Sequence, residues 1–145
     1  MKEKSTRELL DALSGARNLD RFMEENRACF DRRRLADFLQ QYLQEKGLKR
    51  GEVIRSSQLN EVYAYQIFNG TKEPSRDKVV CLLLAMKTTV LEAQTLLKVC
   101  GYAPLYAKDE RDCVLLYALE HGLTVTETNI QLESRGWKEL IAIDR

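Results

Sequence analysis

The residues of this chain that could hold zinc through sulfur or act as a thiolate nucleophile are Cys29, Cys81, Cys100 and Cys113, and the only imidazole is His121. Zinc sites built on thiolates need ligands a few residues apart, typically two cysteines separated by two to four positions. No two cysteines here are that close. Each lies in or beside an apolar run, so each reads as a reduced, buried thiol that fills core space. The acids of Asp109-Glu110-Arg111-Asp112 fit the first turn of a helix, where the helix dipole favours negative charge. Arg32-Arg33-Arg34 has the look of a phosphate clamp, but Asp31 and Asp37 flank it, and a solvated helix start accounts for it. His121 stands beside Gly122, where a basic residue suits a helix C-terminus. No glycine-rich phosphate loop and no nucleophile–base pairing is legible, so the expectation is a non-enzyme with no metal and no cofactor.

The bulk numbers point to a helical globular protein. With 2 prolines and 7 glycines in 145 residues, the chain has too few breakers for an all-β fold or long disorder. Its 44% hydrophobic content suffices for a core without disulfides or metals. The net charge is +1, weak on its own for a nucleic-acid binder. Between Lys46 and Lys78, however, seven basic residues face four acids, a local excess of +3. The charged N-terminal residues lack a signal-peptide pattern and no apolar run spans a bilayer, so a cytoplasmic protein with no membrane contact is expected.

Local signals place the elements. Ser5 and Glu8 form a capping-box pattern for a first short helix, ended at Ser14-Gly15, and a second is expected over 19–30. This N-terminal segment, 1–31, reads as an extra packing or dimer-forming element. Leu35, Phe38, Leu39, Tyr42 and Leu43 recur at helical spacing up to Gly47. A short helix is expected over 49–56, a turn at Ser57-Gln58, and another helix from the N-cap Asn60 to Phe68, stopped by Asn69-Gly70. Pro74-Ser75 opens a helix whose 79–86 stretch is apolar nearly all round and so belongs at the core. Thr89 with Glu92, and Thr124 with Glu127, form two more capping boxes, and Asp109 caps a helix through Leu119. Trp137 reads as a packing anchor for the tail, which folds back through Leu140, Ile141 and Ile143. No internal repeat is read along the chain.

The helices between residues 35 and 100 make a five-helix unit with two short helices and a tight turn at its centre. Such a unit can place its second short helix in a DNA major groove. Ala64 and Ile67 would face inward beneath that helix, with Leu59 anchoring its start. The stretch from Gly47 to Ser75, and above all Asn69-Gly70-Thr71-Lys72-x-Pro74-Ser75, resembles the lambda-repressor-like, Cro-type (XRE) helix-turn-helix family over about 55 to 65 residues. The resemblance implies an all-α fold: an N-terminal segment (1–31), a DNA-binding domain (32–101) and a two-helix extension (102–145).

It also implies a sequence-specific transcription regulator that binds double-stranded DNA as a homodimer. On the matching positions, Asn60, Glu61, Val62, Tyr65 and Gln66 face bases, while Arg50, Asn69, Lys72 and Arg76 contact phosphates. Gln66 matches the bidentate pattern of adenine, and Glu61 accepts from cytosine N4. The chain departs from the family at the turn, where Ser57-Gln58 replaces the usual glycine at a strain cost. It departs again in the aromatic character of the second helix. An alternative follows from that departure: an adaptor that uses the unit as a scaffold and binds a protein partner through Tyr63, Tyr65 and Phe68.

Overall fold

The computed structural model describes residues 4–31 and 33–141. Met1–Arg32 and Arg33–Arg145 form two compact units. Every regular element among the described residues is helical. Ile143 lies outside the described residues.

The first unit is small. Helix α1 (Thr6–Ser14) starts where Ser5 Oγ accepts from the Glu8 amide, and α2 (Leu19–Glu25) starts where Asn18 Oδ1 accepts from the Arg21 amide. Instead of continuing to residue 30, α2 stops at Asn26 and a 3-10 turn (Arg27–Cys29) follows. The Asn26 side chain explains the stop. Its Nδ2 donates to the Phe22 carbonyl and its Oδ1 accepts from Lys4 Nζ, a local bonding pattern that competes with helix continuation.

The second unit is built on seven helices: α3 (Leu35–Lys46), α4 (Arg50–Ser57), α5 (Glu61–Phe68), α6 (Arg76–Ala85), α7 (Val90–Val99), α8 (Glu110–His121) and α9 (Val125–Ser134). The five apolar residues read at helical spacing in α3 are its buried residues. Asp37 bonds the Arg34 amide at one end of α3, and Gly47 takes a left-handed conformation at the other (φ 62°). Helix α6 is the hub. Its run from Val79 to Leu84 is buried, and it packs on α4, α7, α8 and α9. Helices α8 and α9, read from sequence as an extension, thus belong to the same body.

A repeat missed in the sequence organises this body. A shift of 35 positions lays residues 76–105 on 111–140 without a gap, with 10 of 30 positions identical: Arg76/Arg111, Asp77/Asp112, Val79/Val114, Leu84/Leu119, Thr89/Thr124, Val90/Val125, Glu92/Glu127, Leu97/Leu132, Gly101/Gly136 and Leu105/Leu140. The backbone follows the same shift. Helices α7 and α9 share bounds under it, both open with a capping box, and Gly101 and Gly136 both have positive φ. Lys87 (φ 55°) and Gly122 (φ 65°) are equivalent left-handed positions between the helices of each hairpin. Tyr102 and Trp137 donate their amides to the equivalent Leu97 and Leu132 carbonyls. The sequence signal is sparse because it resides at caps, turns and a few core leucines.

The two hairpins, α6–α7 and α8–α9, are joined by interactions that exchange with one another. Arg76 pairs with Asp112, and Arg111 pairs with Asp77 through two bonds of 3.0 and 3.1 Å. The Arg76 Nη1 also donates to the Ala103 and Pro104 carbonyls, while Arg111 donates to the equivalent Lys138 and Glu139 carbonyls. Helix α6 touches α9 and α7 touches α8, again an exchanging pair. The arrangement is a pseudo-two-fold, the intramolecular counterpart of an isologous interface.

Candidate nucleic-acid interface

Helices α4 and α5 pack on each other across a turn of three residues, Gln58 to Asn60. Gln58 sits in the left-handed region (φ 61°, ψ 12°), the conformation that a glycine adopts at no steric cost. The sequence departs from the family pattern at this place, and the backbone adopts the glycine-like turn nonetheless. Gln58 Nε2 donates to Thr126 Oγ1, and Ser57 Oγ, fully buried, donates to the Ile54 carbonyl. These side-chain bonds hold a turn whose backbone conformation costs on the order of 1 kcal/mol for a non-glycine residue.

Helix α5 divides cleanly into two sides. Ala64 and Ile67 have no exposed surface, and Phe68 is also buried. Leu59 packs half-buried against the core, as its anchoring role requires. Across a close approach to α3, a Cβ placed on Gly70 would meet Ala36 Cβ at 3.7 Å. The other side of α5 holds Asn60, Glu61 and Val62, all exposed, with Val62 at 68%. Tyr65 and Gln66 are half-buried at its edge. Asn60 Oδ1 accepts from the Tyr63 amide at 3.1 Å, so the oxygen of this carboxamide is used by the helix cap.

The phosphate candidates separate into two groups. Arg50, at the first position of α4, is exposed, with its guanidinium carbon 5.1 Å from the Tyr65 ring centroid, a cation–π geometry. Asn69 and Lys72 are exposed just past the end of α5. The Thr71 and Lys72 amides both return to the Gln66 carbonyl, which fixes this corner. Arg76 is not in this group, since its guanidinium is turned into the α6–α8 ion pair.

The aromatic residues do not form one face. Phe68 is core, Tyr65 lies under Arg50, and Tyr63 has the Lys78 ammonium 4.5 Å from its ring centroid. The expected three-residue aromatic binding face is thereby corrected: a helix of this pitch cannot present residues 63 and 68 together while 64 and 67 point to the core.

Behind α5, α3 is fastened to α7. Tyr42 donates to the Glu92 carbonyl at 2.9 Å, and Lys46 Nζ bonds Glu92 Oε1 at 2.8 Å. Burial, together with Glu92, pushes the Tyr42 hydroxyl up to about 12. Burial acts to raise Glu92 as well, but the Lys46 bond and the Thr89 cap outweigh it and hold the carboxyl below its usual value.

Two further expectations are corrected. Of the cysteines only Cys81 is buried, its thiol pushed up to about 12 by burial, whereas Cys29 and Cys100 are half-buried and Cys113 is exposed. Trp137 is 37% exposed and lies at a groove edge, while Leu140 is the residue that buries the tail. The described residues contain no group of three or more metal-ligating side chains and no helix long and apolar enough to cross a membrane. Of the residues that line the α8–α9 groove, Glu110, Cys113 and Trp137 drew other readings in the sequence, and Val114, Tyr117, Gln131 and Arg135 carried no signal there. No family model, no curated protein and no solved structure matches this chain.

Proposed function

We propose that this chain is a sequence-specific DNA-binding regulator in which α3 to α7 act as a five-helix, lambda-repressor-like unit. The observation that supports the reading best is the α4–turn–α5 pair. It has a left-handed turn residue where a helix-turn-helix needs one, and a second helix with one buried side and one exposed side that carries Asn60, Glu61 and Val62. In this reading residues 60–68 enter the major groove. Gln66 pairs with adenine and Glu61 accepts from cytosine N4, while Val62 offers an apolar contact to a thymine methyl. Arg50, Asn69 and Lys72 hold the register on phosphates, at the two ends of the helix pair. Arg76 serves to tie α6 to α8. The protein works in the cytoplasm as a homodimer on a two-fold operator, so that two short helices share a recognition task one alone performs weakly.

Selection from a random duplex library at two salt concentrations tests the reading. A two-fold motif is expected, with affinity falling steeply as salt rises. Arg50→Ala and Lys72→Ala are expected to weaken binding to all selected sequences alike. Absence of any enriched motif would overturn sequence-specific recognition by this chain.

A further inference from the structure

The two hairpins differ in what covers them. Along α7, Glu92, Leu96 and Cys100 follow one another at four-residue spacing and receive α3. Glu92 binds Tyr42 and Lys46 near the C-terminal end of α3, and Cys100 shares a cavity with Leu35 at its N-terminal end. Helix α3 therefore runs antiparallel along this stripe, and Leu96 in its middle has no exposed surface.

Under the 35-residue shift the stripe becomes Glu127, Gln131 and Arg135 on α9. Here the equivalent berth is an open groove of about 820 Å3, lined by Gln131 and Arg135 together with Val114, Tyr117 and Trp137, with Glu110 and Cys113 at its α8 edge. Tyr117 is 56% exposed. Their counterparts on the first hairpin, Val79 and Leu82, are fully buried.

The geometry points to the α8–α9 groove as a second helix berth, which takes an amphipathic helix of another protein in the antiparallel pose that α3 takes on α6–α7. The charged ends of the stripe define the partner: Glu127, kept from Glu92, and Arg135, which replaces Cys100. Arg135 stands where the N-terminal turn of the occupant would lie, and Glu127 where its last turn would lie. The partner helix carries an apolar stripe with an aromatic residue, an acid in its first turn and a base in its last. This charge order also suits the helix dipole of the occupant. Polar groups at the berth keep it wettable when empty, as expected of a surface that binds and releases its partner.

The probe is an acetylated peptide of residues 35–47 of this chain, which has Asp37 in its first turn and Lys46 in its last. It is titrated into the full-length protein. Trp137, the single tryptophan of the chain, reports on the groove, and the peptide has none. A saturable blue shift of its emission is expected, at least tenfold weaker in Tyr117→Ala and in Arg135→Glu, with circular dichroism unchanged in both. The peptide carrying Leu35→Glu is expected to bind the parent protein more tightly and Arg135→Glu no better. The inference is overturned by a flat titration in the folded protein, or by a shift that the two variants leave intact. Sedimentation showing that the groove is closed by a second copy, with the association lost in Tyr117→Ala, would overturn it too. These readouts do not depend on DNA, so failure here leaves the DNA-binding reading standing, and the reverse.

Discussion

Hairpins α6–α7 and α8–α9 share helix bounds to within one residue under the 35-position shift and have opposite fates. What they share is the set of residues that shape chain direction: the Thr-Val-x-Glu capping boxes, the left-handed positions at Lys87 and Gly122, the glycines at 101 and 136, and the Arg-Asp pairs that bind the hairpins to each other. What they do not share is the outward stripe. Leu96 is fully buried, midway between the two places where α3 meets the stripe, whereas Gln131 lines a groove that the other helices of the second unit leave open. Backbone-setting positions thus carry the fold, while the side chains of one helix face decide whether a hairpin is covered by its own chain or remains available to another.

The largest effect expected from this contrast comes from swapping the stripe. Leu96→Gln would place an amide in a dry site and lose the leucine's burial, for a cost of about 3–5 kcal/mol in chemical denaturation. The reciprocal Gln131→Leu would change stability by no more than about 0.5 kcal/mol, because Gln131 is only half-buried and its bond from Arg135 is exposed to solvent. Equal effects at the two sites would break the contrast.

Next come the crossed ion pairs. Asp112→Ala strands Arg76 and also removes the acceptor of the Tyr106 amide, and a loss of about 3 kcal/mol is expected. Asp77→Ala should cost less, because its carboxylate is more exposed than that of Asp112 (22% against 8%).

A smaller effect sharpens the comparison. Gln94 clamps Leu105 at two points, accepting from its amide and donating to its carbonyl, both at 2.8 Å. Asn129, one methylene shorter, accepts from the equivalent Leu140 amide at 2.9 Å, and its Nδ2 has no partner among the described residues. Asn129→Gln is expected to stabilise the protein by about 1 kcal/mol by completing the clamp. Destabilisation would show that the second hairpin has closed around the shorter side chain.

The smallest effect is on pH dependence. Because the carboxyl of Glu92 is held below its usual value in the folded state, its contribution is fully present above the unfolded value and is lost as pH falls through the folded one. Thermal melts at pH 7 and pH 3 should therefore differ less in Glu92→Gln than in the parent, and an unchanged difference would remove Glu92 from the account.

Much of this was legible in the sequence because it is local. Asn60, Thr89, Asp109 and Thr124 announce helix starts through bonds spanning three residues, and Gly47 and Gly122 announce ends. The buried stripe of α3 follows from spacing alone. Arg76 and Asp112 were not legible as partners, because 36 residues separate them and each has an ordinary local explanation. Trp137 was misread for a related reason: a large apolar residue predicts burial, and only the tertiary arrangement shows that this one edges a groove. Gln58 illustrates the remaining difficulty, since side-chain bonds hold a conformation its residue type disfavours.

The most direct test of the DNA-binding account is a comparison of selected base preferences for the parent and Gln66→Ala under identical salt. The account predicts that the variant loses preference at one base pair in each half-site, the adenine read by Gln66, while the other positions and the half-site spacing persist. An identical profile for both proteins, or a uniform loss across all positions, would contradict insertion of α5 into the major groove.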